Sequence, residues 1–264
     1  MRRIFAVKGR PADHPLIVHL AAAADWRTWG RPDPRAEALA AAFWPGPLTL
    51  ILTRQERVID EVTGGRDTVG LRMPDHPMAQ ALLSAFEGGI AAPSANRFGR
   101  VSPTTAAHVI EELGDEALVL DGGPCAVGLE STIIDLSGEE AGLLRPGGLS
   151  REEIEAVIGP VREGGSTAAP GTLPAHYAPR TSLRVVDDVP AEVARLSAQG
   201  LSVAALPAAA PEDYARRLYA ELRRLDNLAV DVLVAARLPE AGLGRAINDR
   251  LARAARGSGG GAPT

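Results

Sequence analysis

The chain has 264 residues, of which 45% are hydrophobic and 23% are charged, and its formal net charge at pH 7 is −5. This length accommodates one large domain or two ordinary ones, and the apolar fraction is sufficient for a packed core. The negative charge argues against a global basic field that attracts nucleic acid, and the absence of a long apolar run argues against a transmembrane helix. A single cysteine, Cys125, excludes an internal disulfide framework and predicts a cytoplasmic protein.

The first part of the chain alternates short apolar runs with helical periodicity. Strands are predicted where apolar and β-branched residues run together between turn residues, at 16–20, 48–53, 68–73, 89–95, 117–123, 131–137 and 142–148. Helices are predicted at 35–44, 76–86, 104–113 and 150–159. Because strands follow one another as often as they follow helices, the pattern predicts an α/β fold with a mixed sheet.

Two of these helices begin with capping signals. Ser102 or Thr104 is predicted to cap the helix at 104–113, with Pro103 in its first turn. Ser150 and Glu153 have the spacing of a capping box, which predicts that the next helix begins at this point.

Residues 160–182 are rich in Gly, Pro, Ser and Thr without periodicity, which predicts a linker. A second pattern follows the linker. Strands are predicted at 183–187, 201–207 and 230–239, and helices at 190–200, 211–226 and 244–256. This order predicts a small βαβαβα domain over 183–256, followed by a disordered tail at 257–264.

Several predicted strand ends carry an arginine or a small hydroxyl. Arg72 ends the strand in GLRMP, Ser131 begins the strand in ESTIID, and Arg145 ends the strand in LLRPGG. The stretch APSANRFGRVSPT, residues 92–104, places hydroxyls, an amide and a glycine between a strand and a helix N-terminus, which suits a phosphate or a carboxylate. Each signal taken singly fits a structural role equally well, but a cleft lined by strand ends would collect them.

The sequence offers little for metal or covalent chemistry. The five histidines, at positions 14, 19, 76, 108 and 176, lack metal-ligand spacing, so no resident metal site is predicted. Neither a GxSxG elbow nor a Walker loop occurs. We therefore expect chemistry by positioning and electrostatics around phosphates.

Lys8 is the only lysine, since every other one of the 28 basic residues is arginine. An ammonium is a compact point charge, whereas a guanidinium is a broad planar fork. A tight site beside a phosphate accepts the first and rejects the second. Chance survival of one surface lysine is the alternative interpretation.

Six ordered motifs resemble one family. KGRPADHPLIVHL, FWPGPLTLIL, VGLRMPDHP, APSANRFGRVSPT, DGGPCAVGLESTIID and LLRPGG follow one another as in the YrdC-like proteins. APGTLPAHYAPRT and GLGRAINDRLARAA resemble the longer, two-domain form, the L-threonylcarbamoyladenylate synthases. The resemblance covers nearly the whole chain. It implies a twisted mixed-sheet YrdC-like domain over 1–159, a linker at 160–182 over the active-site cleft, and a small Rossmann-like C-terminal domain.

The resemblance implies a nucleotidyltransferase. Such an enzyme joins L-threonine, bicarbonate and ATP into L-threonylcarbamoyladenylate and releases pyrophosphate, with Mg²⁺ accompanying the ATP. A separate threonylcarbamoyl transferase complex is the downstream acceptor and modifies tRNA. Weak binding of tRNA by the chain itself is left open, and no membrane partner is expected.

Site residues follow from the same motifs. The resemblance implies that Lys8 and Arg10 are catalytic and neutralise the ATP phosphates. The other residues implied to bind ATP are Thr68, Ser94, Asn96, Ser102, Arg145 and Tyr177. The residues implied to bind L-threonine are His19, Arg72, Ala92 and Ser131.

The chain also departs from the family pattern. The family has a leading strand with a PTETVYGLG-like motif ahead of the position where this chain begins, so the expectation is an N-terminally truncated YrdC-like domain. The alternatives are an inactive truncated paralogue, an RNA-binding protein of the same fold, or the related carbamoyl chemistry of hydrogenase maturation factors.

Overall fold

The structure is a computed structural model that describes residues 1–22, 24–165 and 167–259. The chain divides into two compact units. Unit 1 comprises Met1–Pro93 and Glu130–Thr172, and unit 2 comprises Ser94–Leu129 and Leu173–Thr264. The domain boundaries that the sequence indicates, at residues 159 and 183, stay a prediction.

The strands are β1 Ile17–His19, β2 Leu48–Thr53, β3 Thr68–Arg72, β4 Ile90–Ala92, β5 Thr132–Asp135, β6 Gly142–Arg145, β7 Arg162–Glu163, β8 Ser182–Val186, β9 Val203–Ala205 and β10 Val232–Ala236. The α-helices are α1 Arg2–Lys8, α2 Pro34–Phe43, α3 Asp60–Thr63, α4 Pro77–Phe86, α5 Ala106–Leu113, α6 Arg151–Ile158, α7 Val189–Ala198, α8 Pro211–Asp226 and α9 Leu243–Gly257. Most lie within a few residues of their predicted positions.

Unit 1 contains a seven-stranded mixed sheet in the order β4-β1-β3-β2-β5-β6-β7. The pairs β1/β3, β2/β5 and β6/β7 are parallel, while β1/β4, β2/β3 and β5/β6 are antiparallel. The prediction of a mixed α/β fold is confirmed.

One face of this sheet forms the main core of unit 1. Leu50 and Leu71 are register partners on β2 and β3, and both are fully buried. They belong to a cluster with Leu39 of α2 and Ile154 of α6, so these two helices cover this face. Because side chains alternate along a strand, the residues between these leucines point to the opposite face.

The capping predictions have mixed outcomes. The box at the start of α6 is confirmed: Ser150 Oγ accepts from the Glu153 amide, and the Glu153 carboxylate accepts from the Ser150 amide. The predicted cap of α5 is wrong by one to three residues, because Thr105 is the N-cap and its Oγ1 accepts from the His108 amide. Pro103 therefore precedes α5 instead of starting it.

Two predictions of strand content are also wrong. Residues 117–123 form no strand, and Leu118 and Leu120 are 94% and 58% exposed, so the apolar run has no neighbouring strand to pair with. The predicted linker was expected to contain no strand, but its residues Arg162–Glu163 form β7 of the sheet. Gly142 permits this close pairing, since a Cβ at that position would lie 2.3 Å from the Gly164 carbonyl oxygen.

Unit 2 contains a parallel three-stranded sheet in the order β8-β10-β9, interleaved with α7, α8 and α9. The predicted βαβαβα succession is confirmed. Apolar residues three and four apart on α8, such as Leu218 and Leu222, are buried in its core, as expected for an amphipathic helix.

The C-terminal end is more ordered than predicted. Helix α9 continues to Gly257, and Ser258 Oγ accepts from the Leu183 amide at 2.9 Å and donates to the Ala255 carbonyl. These bonds tie the start of the predicted tail to β8, while residues 260–264 lie outside the described residues. No helix within the described ranges is both long and apolar enough to cross a membrane.

Candidate functional site

Polar side chains of unit 1 form a row across one face of the sheet, opposite the leucine-rich core. His19 pairs in register with Arg72, Arg72 with Thr49, Thr49 with Ile133, and Ile133 with Arg145. Register partners on neighbouring strands point to the same face, so these side chains form one line over five strands. Ser131, two residues before Ile133, adds its hydroxyl to this line, since it lies 2.7 Å from that of Thr49. We call the line, with Ser131, the polar row.

The polar row lies at one edge of the sheet because of the strand directions. His19, Arg72 and Arg145 are the last residues of β1, β3 and β6. Thr49 and Ile133 lie near the starts of β2 and β5, which run in the directions that bring these starts to the same edge. Arg72, Ser131 and Arg145 therefore gather at one edge of the sheet, while the expected cleft that would collect all the strand-end residues stays a prediction.

A hydrogen-bonded network joins the hydroxyl and guanidinium groups of the row. The hydroxyl oxygens of Thr49 and Ser131 are 2.7 Å apart. Arg145 Nη2 donates to Ser131 Oγ at 3.0 Å, and Arg145 Nε and Nη2 donate to the Ser131 carbonyl at 3.1 and 2.9 Å. Arg145 Nη1 donates to the Pro170 carbonyl at 2.9 Å. The guanidinium therefore binds three acceptors in one fixed orientation.

His19 and Arg72 occupy the other half of the row. Burial, followed by the positive charge of Arg72, lowers the pKa of the His19 imidazole to about 4. The imidazole is therefore neutral at physiological pH. Arg72 Nε donates to the Gly46 carbonyl at 3.3 Å, which holds the arginine at the end of β3.

Part of the predicted linker covers this face of unit 1. Ala169 packs in a small apolar cluster with Ile17, Ile51 and Ile133, which lie among the polar residues. Thr68 Oγ1 is 3.1 Å from Thr167 Oγ1. Together with the bond from Arg145 to Pro170, these contacts hold residues 167–170 against the polar face.

Lys8 and Arg10 are both buried in unit 1, at 5% and 8% exposure. Lys8 ends α1, and Gly9 adopts the left-handed conformation with φ 61°, which closes the helix. Arg10 Nη2 then donates to the Pro15 carbonyl at 2.9 Å. The helix end thus brings two cations into the interior two residues apart. Ala92 of β4 pairs with Ile17 of β1, which lies two residues before His19.

The remaining predicted residues belong to unit 2. Ser94 is exposed, while Asn96 and Ser102 are buried. Asn96 Nδ2 donates to the carbonyls of Arg97 and Arg100, both at 2.9 Å, so the amide shapes its own loop. The Ser102 carbonyl accepts from Arg223 Nε at 3.5 Å.

Tyr177 is 1% exposed and has φ 61°, which is uncommon outside glycine. Its ring stacks on Tyr219 at 5.6 Å, and the guanidinium carbon of Arg250 lies 5.2 Å from the ring centroid. In unit 2 the ring therefore anchors its own segment. The ligand contacts predicted for Tyr177 and for the other site residues stay predictions.

Sequence reasoning missed Thr49 in unit 1 and Arg250 in unit 2. Thr49 lies inside an apolar strand and Arg250 inside a helix, where a hydroxyl or a guanidinium gives no positional signal. The described residues contain no group of three or more His, Cys, Asp or Glu arranged to hold a metal ion.

Comparisons with known proteins give two family matches. Residues 1–147 match the family described as "Telomere recombination", and residues 149–256 match the family described as "Threonylcarbamoyl-AMP synthase, C-terminal domain". The two matches together span nearly the whole chain.

Individual relatives agree with these matches. The chain is 41% identical to the threonylcarbamoyl-AMP synthase of Pyrococcus abyssi, over 96% of this chain and 84% of that protein. It is 38% identical to the enzyme of Bacillus subtilis, over 97% and 84%. A crystal structure of Pyrococcus abyssi Sua5 complexed with L-threonine superposes with a TM-score of 0.91 at 40% identity, covering 97% of this chain and 84% of that chain. The chain belongs to the threonylcarbamoyl-AMP synthase family.

Proposed function

We propose that this chain is a nucleotidyltransferase that synthesises L-threonylcarbamoyladenylate from L-threonine, bicarbonate and ATP with release of pyrophosphate. The polar row is the observation that carries the proposal, because it places Arg72, Ser131 and a neutral imidazole at one edge of the sheet. A relative that is 40% identical over 97% of this chain has been solved in complex with L-threonine.

L-threonine is proposed to bind along the polar row. The guanidinium of Arg72 can form two parallel hydrogen bonds with a carboxylate. The hydroxyl of Ser131 and the imidazole of His19 provide the neutral polar part of the site, and Ala92 is proposed to line the site from β4. A neutral imidazole can accept a hydrogen bond from an amine or hydroxyl, which an imidazolium cannot do.

ATP is proposed to bind in unit 1, through its buried cations. Lys8 and Arg10 would neutralise the triphosphate, and Thr68 and Arg145 would complete the nucleotide contacts within unit 1. Mg²⁺ is proposed to enter with ATP as part of the substrate, where it would offset the charge of the phosphates.

The proposed reaction needs positioning more than covalent catalysis. The threonine amine forms a carbamate with bicarbonate, which releases water, or with CO₂, which releases a proton. A carbamate oxygen then attacks the α-phosphorus of ATP as the bond to pyrophosphate breaks. Lys8 and Arg10 stabilise the charge of the leaving pyrophosphate. Residues 167–170, which lie against the polar face, would limit the access of water to the carbamate.

The product is a reactive mixed anhydride, so a second protein must use it before water does. We propose that a threonylcarbamoyl transferase complex receives it and modifies tRNA. This places the chain upstream of tRNA modification without requiring a stable tRNA complex.

Pyrophosphate release tests the proposed function. The 264-residue chain is incubated with ATP and Mg²⁺, and L-threonine and bicarbonate are added singly and together. Release that requires both substrates supports the proposal. The nucleotide product is identified by mass spectrometry, since a threonylcarbamoyl adduct of AMP distinguishes synthesis from simple ATP hydrolysis. No release with any combination would overturn the proposal for this chain and leave an inactive paralogue or an RNA-binding role.

A further inference from the structure

We infer that Thr49 is a positioning residue for L-threonine, acting through Ser131, and this inference rests on the proposed function. Thr49 lies within the motif FWPGPLTLIL, but it is not among the site residues that the resemblance implied. It has no exposed surface and makes no contact that its strand requires for pairing, because the backbone alone forms the ladder. Its hydroxyl nevertheless points into the polar row.

The position of Thr49 is the first reason. Thr49 is the register partner of Arg72 on one side and of Ile133 on the other. It therefore lies between the arginine proposed to hold the substrate carboxylate and the pair formed by Ser131 and Arg145. Its side chain therefore faces both halves of the proposed threonine site.

The second reason is the hydrogen-bond inventory of the two hydroxyls. Thr49 Oγ1 and Ser131 Oγ are 2.7 Å apart, and Arg145 Nη2 donates to Ser131 Oγ at 3.0 Å. Two hydroxyls carry two protons, but their mutual contact uses only one of them. The guanidinium of Arg145 only donates hydrogen bonds, so it does not accept the second proton. One hydroxyl proton of the pair therefore remains available to an incoming acceptor.

A carboxylate or carbamate oxygen of the substrate is the acceptor that fits this proton. If Thr49 donates to Ser131, both lone pairs of the serine oxygen are occupied and its proton has to point away from the protein network. A carboxylate oxygen is a strong acceptor for such a hydroxyl. In that arrangement Thr49 sets the direction in which Ser131 donates.

Matched variants of the full chain separate this role from simple packing. Thr49→Val keeps the branched shape and removes the hydroxyl, whereas Thr49→Ser keeps the hydroxyl and removes the methyl group. Thr53→Val is the control, because Thr53 lies on the same strand and face, is half-buried, and has no side-chain hydrogen bond among the described contacts. Urea unfolding of each variant establishes that it is folded.

The measurements are the KM values for L-threonine and for ATP in the pyrophosphate assay, with titration calorimetry of L-threonine binding as an independent readout. For Thr49→Val we expect the KM and the Kd for L-threonine to rise about 5- to 10-fold, because one oriented hydrogen bond is lost. The KM for ATP should stay unchanged. Thr49→Ser and Thr53→Val should retain the wild-type values within about twofold.

Three outcomes would overturn the inference. Wild-type threonine binding by Thr49→Val would show that its hydroxyl is irrelevant. Equal losses in Thr49→Val and Thr49→Ser would indicate a packing effect, and parallel rises in both KM values would indicate general damage to the site. Failure of the proposed function is distinguishable, because the wild-type chain would then release no pyrophosphate and titrate no L-threonine.

Discussion

His19 and Arg72 are register partners on the parallel strands β1 and β3, so an imidazole and a guanidinium lie side by side on one face of the sheet. Two adjacent positive charges in a partly buried place repel each other. Burial contributes most, and Arg72 adds to it, so that the pKa of His19 falls to about 4. The pair consists of one permanent cation and one neutral imidazole.

This relationship predicts a loss of stability in mild acid. The folded-state pKa of His19 is about 4, below its ordinary value of 6.5. Between these two values the unfolded chain binds a proton at His19 and the folded chain does not. The resulting destabilisation is absent above pH 6.5 and grows as the pH falls toward 4. Urea unfolding of the wild type and of His19→Asn at pH 7.0 and 5.0 measures it, and the wild type should lose more stability than the variant.

Arg72→Met provides the control for the cause of this shift. The variant removes the smaller cause and leaves burial, so the pKa of His19 should rise but stay below 6.5. Titration of the imidazole by NMR measures this directly. An unchanged pKa in Arg72→Met would contradict the assigned contribution of the guanidinium.

Lys8→Arg is predicted to lower turnover while the fold survives. Lys8 is 5% exposed at the closed end of α1, and the broader guanidinium cannot occupy the space of an ammonium without displacing its neighbours. We expect kcat for pyrophosphate release to fall about tenfold or more, which corresponds to about 1.4 kcal/mol in the barrier. Arg2→Lys, at an exposed position of the same helix, is the matched control and should be neutral. Near-normal turnover of Lys8→Arg would show that the lone lysine has no special role.

Arg145→Lys is predicted to destabilise unit 1. The arginine satisfies the Ser131 carbonyl, Ser131 Oγ and the Pro170 carbonyl at once, and the single ammonium of a lysine cannot reproduce that fork. We expect the free energy of unfolding to fall by about 1–3 kcal/mol. Arg162→Lys on the neighbouring β7 is exposed, and the control should change stability by less than about 0.5 kcal/mol. A similar loss in both variants would indicate that the fork is not the cause.

Arg250→Met is predicted to destabilise unit 2 and to alter the environment of Tyr177. The Arg250 side chain has no exposed surface, pairs with Asp249 at 2.6 Å and faces the Tyr177 ring. Removing this buried cation should cost about 2–3 kcal/mol, because Asp249 keeps a second partner in Arg253. Urea unfolding and near-ultraviolet circular dichroism of the tyrosines measure the two effects. Arg256→Met, exposed on the same helix, should change neither.

The sequence predicted the elements whose signals are local. The β-branched run at 48–53, the amphipathic pattern at 211–226 and the Ser150–Glu153 box specify their own conformations through periodicity and capping. The apolar run at 117–123 carries an equally good strand signal but forms none. A strand needs a neighbouring backbone to complete its hydrogen bonds, and local composition does not reveal whether one is present.

The sequence by itself determined the family, most of the elements and several members of the polar row, among them His19, Arg72 and Arg145, because ordered motifs and periodicity are properties of the chain alone. Only the tertiary structure decided that Thr49 joins Ser131 and that Arg145 reaches Pro170. Those contacts depend on the strand order, on the register of β2 against β3 and β5, and on a register shift between β5 and β6 at Ile133 and Ile134. Register is set by the packing of both sheet faces together, and the side chains of a single strand do not contain that information.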